Sequence, residues 1–154
     1  MLVLGSLPGA ASIAAGQYYA HPRNLFWPFM GELFGAGPAL PYAERVARLT
    51  AAGIAVWDVL ASAPRHGSLD SAIALRAAVR NDIAGLLARE PGLRWVACNG
   101  QLAARVLARQ AGTLPAGVHC EVLPSTSPAN AGLPVAQRLE RWRVLVRLAG
   151  RSGV

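Results

Sequence analysis

Met1-Leu2-Val3-Leu4-Gly5-Ser6-Leu7-Pro8-Gly9 is the stretch on which the fold turns. Four consecutive apolar residues read as a short strand buried on both faces, the pattern of a central strand in a parallel sheet. Two glycines and a proline then force a tight turn with exposed backbone N–H groups, a corner that can approach a phosphate or sugar closely. In isolation this Gly-Ser-Leu-Pro-Gly would be a turn and nothing more. Its weight comes from Tyr18-Tyr19-Ala20-His21-Pro22-Arg23-Asn24-Leu25-Phe26-Trp27, which is too polar and too aromatic for an ordinary core segment. That second stretch lies after an apolar strand and before an apolar helix, where open α/β sheets place their ligand sites.

Working outward, residues 10–20 are small and polar and are expected to form a surface loop. A helix is expected from near Asn24 through Phe26, Trp27, Phe29, Met30, Leu33 and Phe34 to Gly35, with Pro28 tolerated in its first turn. A second helix, Tyr42 to Ala52, carries Val46 and Leu49 inward and Arg45 and Arg48 outward, and Gly53 caps it. Residues 54–60 read as the second strand, interrupted near its C-terminal end by Asp58. A carboxylate there is either a buried, hydrogen-bonded anchor for the next loop or part of a site. The polar loop 62–70 follows, then a helix capped by Asn81 or Asp82 and reaching Arg89.

Residues 95–98 are the third strand, and Asn99-Gly100 turns into a helix through Leu102, Val106 and Leu107. Residues 118–123 are the fourth strand. It stops at the loop 124–132, which is too rich in Pro and Ser for helix or strand. The last helix is expected from Pro134 to about Ala149, with Val135, Leu139, Trp142 and Val146 as its apolar stripe. Arg138 and Arg141 fall on one flank and Arg143 and Arg147 on the other, the pattern of a packed surface helix with a solvated face.

The chain has 154 residues, 53% of them hydrophobic, enough for one domain, 1–154, with a proper core. There is no run of eighteen apolar residues to span a membrane and no basic, apolar leader, so a cytoplasmic protein without a membrane partner is expected. Cys98 and Cys120 are isolated thiols without metal-ligand spacing, so neither a structural metal nor a disulfide is expected. Net charge is +7, and all 15 basic residues are Arg. Arg forks suit phosphate, which fits a polyanionic partner; a GC-rich genome writing Arg for Lys accounts for the same excess.

Strands separated by helices give a small parallel α/β sheet with helices on both faces. The three polar-rich segments, 5–24, 58–70 and 124–130, each follow a strand. In a parallel sheet those ends meet on one edge, so Gly5, Asp58 and Pro124 are expected to border one cleft.

The same residues carry a resemblance. Gly5-Ser6-Leu7-Pro8-Gly9, the Tyr18–Trp27 stretch and Pro124-Ser125-Thr126-Ser127-Pro128, in this order, resemble the uracil-DNA glycosylase superfamily. The His-Pro-x-Asn-x-Phe-Trp pattern is similar to the mismatch-specific uracil/thymine glycosylases, and the whole set looks closest to the hypoxanthine (deoxyinosine) branch. The resemblance implies a three-layer fold with a four-stranded parallel sheet. It implies a monofunctional enzyme that flips a deaminated base out of DNA, most simply hypoxanthine or else uracil, and hydrolyses the N-glycosidic bond without a cofactor. A monomer acting on DNA is expected. Flipping is needed because the sugar carbon is inaccessible while the nucleotide is stacked.

The resemblance also implies roles. Leu7 stands where the mismatch-specific enzymes carry a water-orienting Asn, which Leu cannot replace; the hypoxanthine branch shares this lack, and its catalytic Asn matches Asn24. A neutral amide cannot be a general base, but its oxygen can position a water and stabilise a sugar cation. The bland alternative is that Asn24 caps the following helix. Tyr19 matches the ring that stacks on the flipped base; alternatively it is a rim tyrosine. Asp58 matches the base-reading position, where an ionised carboxylate would disfavour uracil; alternatively it anchors its loop. Leu7, Tyr19 and Asp58 are thus the base-binding candidates. Gly5, Ser6, Pro8 and Gly9, with Ser125, Thr126, Ser127 and Pro128, are the DNA-binding ones; the late loop lacks the family's apolar wedge, which leaves phosphate contacts. Two cysteines do not make the four-cysteine iron–sulfur set of some relatives. Two rival readings remain: a nucleic-acid-binding module without hydrolysis, and an unrelated α/β enzyme acting on a free nucleotide or other phosphate ligand.

Overall fold

The computed structural model describes residues 1–67, 69–111, 114–130 and 132–150; Ser68 and Ala131, within two of the expected loops, lie outside the described residues. In chain order the elements are β1 (Leu2–Gly5), α1 (Ala10–Ala15), α2 (Phe26–Phe34), α3 (Tyr42–Ala51), β2 (Ala55–Asp58), β3 (Leu60–Ser62) and β4 (Val79–Arg80). There follow α4 (Ile83–Arg89), β5 (Trp95–Asn99), α5 (Gln101–Ala111), β6 (His119–Leu123), α6 (Val135–Trp142) and α7 (Val144–Ala149). The main sheet has the order β2-β1-β5-β6 with every pairing parallel.

Strand alternation divides the core in two. Val3 and Ala97 join one apolar cluster with Phe26, Phe29 and Met30 of α2, Leu49 of α3, Trp142 of α6 and Leu145 of α7. Leu2, Leu4, Val96 and Cys98 join the other with Ile83 and Leu87 of α4 and Leu102 and Val106 of α5. Helices therefore cover both faces of a four-stranded parallel sheet, the three-layer α/β architecture expected. No helix among the described residues is long and apolar enough to cross a membrane.

Several elements depart from expectation for local reasons. Residues 10–15 are helical rather than loop: the segment is mostly alanine, the best helix former, and Gly16 closes it at φ 61° with its N–H on Ile13. The second strand divides after Asp58. Val59 and Leu60 keep backbone bonds to Gly5 and Ser6, but residues 60–62 pair antiparallel with β4 outside the main sheet. Val46, expected inward, is exposed, while Leu49 is buried.

The last helix breaks at Arg143, whose N–H is shared between the carbonyls of Leu139 and Glu140. The break shifts the apolar face beyond it: Trp142, Leu145 and Leu148 are buried, whereas Val146 is 46% exposed. Val135, in the first turn of α6 and ahead of the break, is 50% exposed. Arg138, expected on a solvated flank, is only 6% exposed.

Trp142 is fully buried, meets Phe26 and Phe29 edge-on or tilted, and donates from Nε1 to the Pro124 carbonyl at 2.9 Å. Trp142→Ala should therefore cost about 3–5 kcal/mol, read as a lowered urea midpoint.

Candidate active site

Register brings the polar segments to one edge of the sheet. Gly5 at the end of β1 pairs with Asp58 at the end of β2, and Asn99 at the end of β5 pairs with Leu123, directly before Pro124. Between these ends lies a cleft of about 370 Å³. Gly5 through Gly9, Tyr19, Asn24, Asp58 and Ser125 through Pro128 border it; Pro124, expected there too, sits at the same sheet edge but does not line the cleft, and its carbonyl accepts from Trp142 Nε1. The cleft also takes in residues that the sequence reading passed over, among them Ser12, Arg65, Asp70 and Asn99.

One wall is built by the segment ahead of α2. Tyr19 holds φ 53°, a left-handed backbone unusual for an aromatic residue. Its neighbours fix it there: the Tyr18 carbonyl accepts from Trp27 Nε1 at 2.8 Å and the Ala20 N–H donates to Ser12 Oγ at 3.1 Å. The Tyr19 ring stacks on Phe26 with centroids 4.1 Å apart. Its hydroxyl is buried and has no hydrogen-bond partner among the described residues. Burial first, then the charge of Asp58, raises the phenol well above its usual range, with the Asn99 amide opposing.

The floor is Gly5 and Asp58. A Cβ on Gly5 would overlap Asp58 Oδ1 and lie 2.9 Å from the Tyr19 hydroxyl, so only glycine leaves room for both groups. Asp58 is 5% exposed. Burial and then the nearby Asp70 push its carboxyl up to about 7, with Arg65 opposing. The loop beyond is tied down separately: Ser6 Oγ donates to Asp70 at 2.7 Å, Arg65 donates to the Pro8 carbonyl, and Asn81 Nδ2 donates to the Asp58 backbone carbonyl at 2.8 Å. Leu7 borders the cleft and packs against the Leu2–Leu4 cluster.

The opposite wall is the loop 124–130. Thr126, expected among the DNA contacts, is fully buried. Its hydroxyl accepts from Asn99 Nδ2 at 2.8 Å, its N–H donates to Asn99 Oδ1 at 2.9 Å and its carbonyl accepts from Leu25 at 3.0 Å. It holds the loop, and leaves Ser125, Ser127 and Pro128 at the cleft. Arg138 reaches under the same loop, donating from Nη1 to the Ser125 and Ser127 carbonyls at 3.3 and 3.5 Å. The one sequence signal for Asn99 was a polar residue closing an apolar strand, the same signal that marked Asp58.

Asn24 stands where the walls meet. Its Oδ1 accepts from the Phe26 N–H at 2.9 Å, so it does bind the first turn of α2 as a cap. That bond takes one lone pair of the oxygen and none of the Nδ2 hydrogens, and the residue also lines the cleft. The cap bond therefore does not use up the side chain.

Residues 1–145 match the uracil DNA glycosylase superfamily. The chain belongs to that superfamily. Within it, the chain is 34% identical to a hypoxanthine DNA glycosylase of Methanosarcina acetivorans over 96% of its own length and 90% of the relative's. It is 36% identical to a hypoxanthine DNA glycosylase of Methanosarcina barkeri over 66% and 63% of the two chains. A solution NMR structure of a candidate uracil DNA glycosylase from M. acetivorans superposes with a TM-score of 0.77, at 34% identity, over 97% of this chain and 89% of that one. The superfamily's fold is thus shared along nearly the whole chain.

Two outcomes follow from this geometry. Because the folded Asp58 binds its proton up to about pH 7 and the unfolded one only to the ordinary carboxylate range, the associated stability is present at low pH and lost as pH rises through 7. The thermal midpoint of the wild type, measured against that of Asp58→Asn, should fall between pH 5 and pH 8. Arg138→Leu should remove one donor from each of the Ser125 and Ser127 carbonyls, which keep the Asn130 side-chain and backbone N–H groups, and cost about 0.5–1.5 kcal/mol, with faster amide exchange at residues 125–130 as the local readout.

Proposed function

We propose that the protein removes hypoxanthine from DNA by hydrolysing the N-glycosidic bond of a deoxyinosine flipped into the cleft. As a member of the superfamily it is a DNA glycosylase; the choice of base, the roles of the residues and action as a monomer in the cytoplasm are what the proposal adds. The observation that carries it is the meeting of an aromatic face, a base-edge carboxyl and an amide in one cleft of about 370 Å³, a size suited to a small planar ligand. The naming of the two Methanosarcina relatives as hypoxanthine DNA glycosylases supports the same base.

In this reading the base lies against the face of Tyr19 that Phe26 leaves free, with its edge toward Asp58. Stacking of this kind contributes about 1–3 kcal/mol per base and tolerates different rings. Asn24 then faces the sugar. Its oxygen, already fixed by the Phe26 N–H, holds a water against C1′ and opposes the positive charge that develops as the glycosidic bond breaks. The base leaves with the bonding electrons, and the proton of the attacking water passes to solvent, since a neutral amide cannot take it. Ser6, Pro8 and Gly9 on one rim, and Ser125, Ser127 and Pro128 on the other, meet the phosphates on either side of the extruded nucleotide in this reading; Gly5, expected among them, is buried in the cleft floor and does not.

Duplex oligonucleotides holding one inosine, uracil or xanthine, treated with protein and then alkali, test the reading. Strand scission at inosine is expected; binding without scission would favour the rival module that has lost hydrolysis, for which Leu7 is the supporting residue. Asn24→Ser keeps a short side-chain cap while removing the amide, so it should stay within a few tenths of a kcal/mol of wild-type stability. Its single-turnover excision should fall by at least about a hundredfold. Unchanged excision would leave Asn24 as a cap alone.

A further inference from the structure

We propose that Asp58 reads the flipped base as the neutral carboxylic acid, its hydroxyl donating to the base carbonyl and its carbonyl oxygen accepting from the adjoining ring N–H. This rests on the base-excision reading above and adds the charge state of the group on the cleft floor.

The geometry favours a neutral group. The Asp58 side chain is buried at a strand end, and among the described residues no N–H or O–H donates to its carboxyl; the Asn81 amide serves only the backbone carbonyl. Gly5 of β1 faces it with no side chain, and Asn99 of β5 turns its amide to Thr126. The titratable and charged groups around it are Tyr18 and Tyr19, with His21 and Arg23 farther along the same segment, and Arg65 and Asp70 from the loop after β3. Arg65 spends an N–H on the Pro8 carbonyl, and Asp70 brings a second carboxyl of like charge. A buried carboxylate without a donor, beside another carboxyl, is relieved most cheaply by taking up a proton. Its position up to about 7 agrees with that.

The chemistry of the partner then follows. Hypoxanthine presents N1–H beside O6, and uracil presents N3–H beside O4. An ionised carboxylate accepts from the N–H but sets its other oxygen against the carbonyl; a neutral acid satisfies both and closes a two-bond ring on the lactam edge. Asp58 in this form does not disfavour uracil, contrary to the expectation for an ionised side chain, so ring size must choose between the two lactams. With roles reversed the acid also matches the edge of adenine. Unmodified adenine is then excluded by the cost of extruding a paired base, which is least for a mismatched or damaged one.

Single-turnover excision from an inosine duplex at pH 6 and pH 8 tests this. The wild-type rate should fall roughly tenfold across that interval, following the protonated fraction of one group. Asp58→Asn, which donates and accepts without titrating, should give a ratio of rates near one. A flat wild-type profile, or an equal fall in both proteins, would overturn the acid and leave the glycosylase reading standing. Absence of excision by the wild type from inosine and uracil duplexes at both pH values would overturn that reading instead. If Asp58→Asn does not fold, or folds and excises at neither pH, carboxyl-carbon NMR titration of the wild type decides. A midpoint for Asp58 near 7 supports the acid; one in the ordinary carboxylate range overturns it.

Discussion

The pairing of Asn99 with Thr126 is the interaction on which the rest of the cleft depends. Both halves of one buried amide are engaged by one residue, Nδ2 with the hydroxyl and Oδ1 with the backbone N–H. The Thr126 carbonyl passes the restraint on to the Leu25 N–H, next to Asn24. Three separate pieces of chain, the end of β5, the loop after β6 and the entry to α2, are thereby held at fixed separations. Such a chain of bonds stands or falls together, because removal of one partner leaves the other buried and unsatisfied.

The C-terminal helix reinforces that arrangement from below. Trp142 of α6 holds the Pro124 carbonyl, and Arg138, one turn earlier, holds those of Ser125 and Ser127. Burying a guanidinium is costly unless its hydrogen-bonding capacity is used, and here two loop carbonyls take up part of it while Nε has no partner among the described residues. A helix remote from the cleft in sequence therefore belongs to its support, and the loop it carries is not a free surface element.

How far this was legible follows from the residues themselves. The apolar runs at Met1 to Leu4 and Trp95 to Cys98 leave no choice but buried parallel strands, and in a parallel sheet the polar segments behind them must share an edge. That much is local pattern plus topology. Arg138 was not legible, because a helical wheel treats whatever lies off its apolar stripe as water, whereas the loop 124–130 covers that side. Val146 misled for a related reason: the stripe assumes one continuous helix, and the helix breaks at Arg143; Val135 lies ahead of that break, in the first turn of α6. Residues 10–15 read as loop because small residues carry no periodic signal, although alanine is the strongest helix former. Asn24 looked like a choice between cap and catalytic group, and no pattern in one dimension shows that its bond to the Phe26 N–H uses only one lone pair of an amide that also lines the cleft.

Gly5 bears on the energetics of recognition. Beside the Asp58 carboxyl the floor of the pocket is bare strand backbone, since a Cβ on Gly5 would overlap that carboxyl. Backbone in the middle of a parallel sheet has no rotamers to freeze, and Asp58 and Tyr19 are confined by burial and by a constrained φ before any ligand arrives. Ordering side chains on association costs roughly 0.5–1.5 kcal/mol for each that is immobilised, and this floor has little such entropy left to lose. In the proposed reading, the cost of opening the duplex is therefore offset by a surface that already has its shape, not by one that must be assembled around the base.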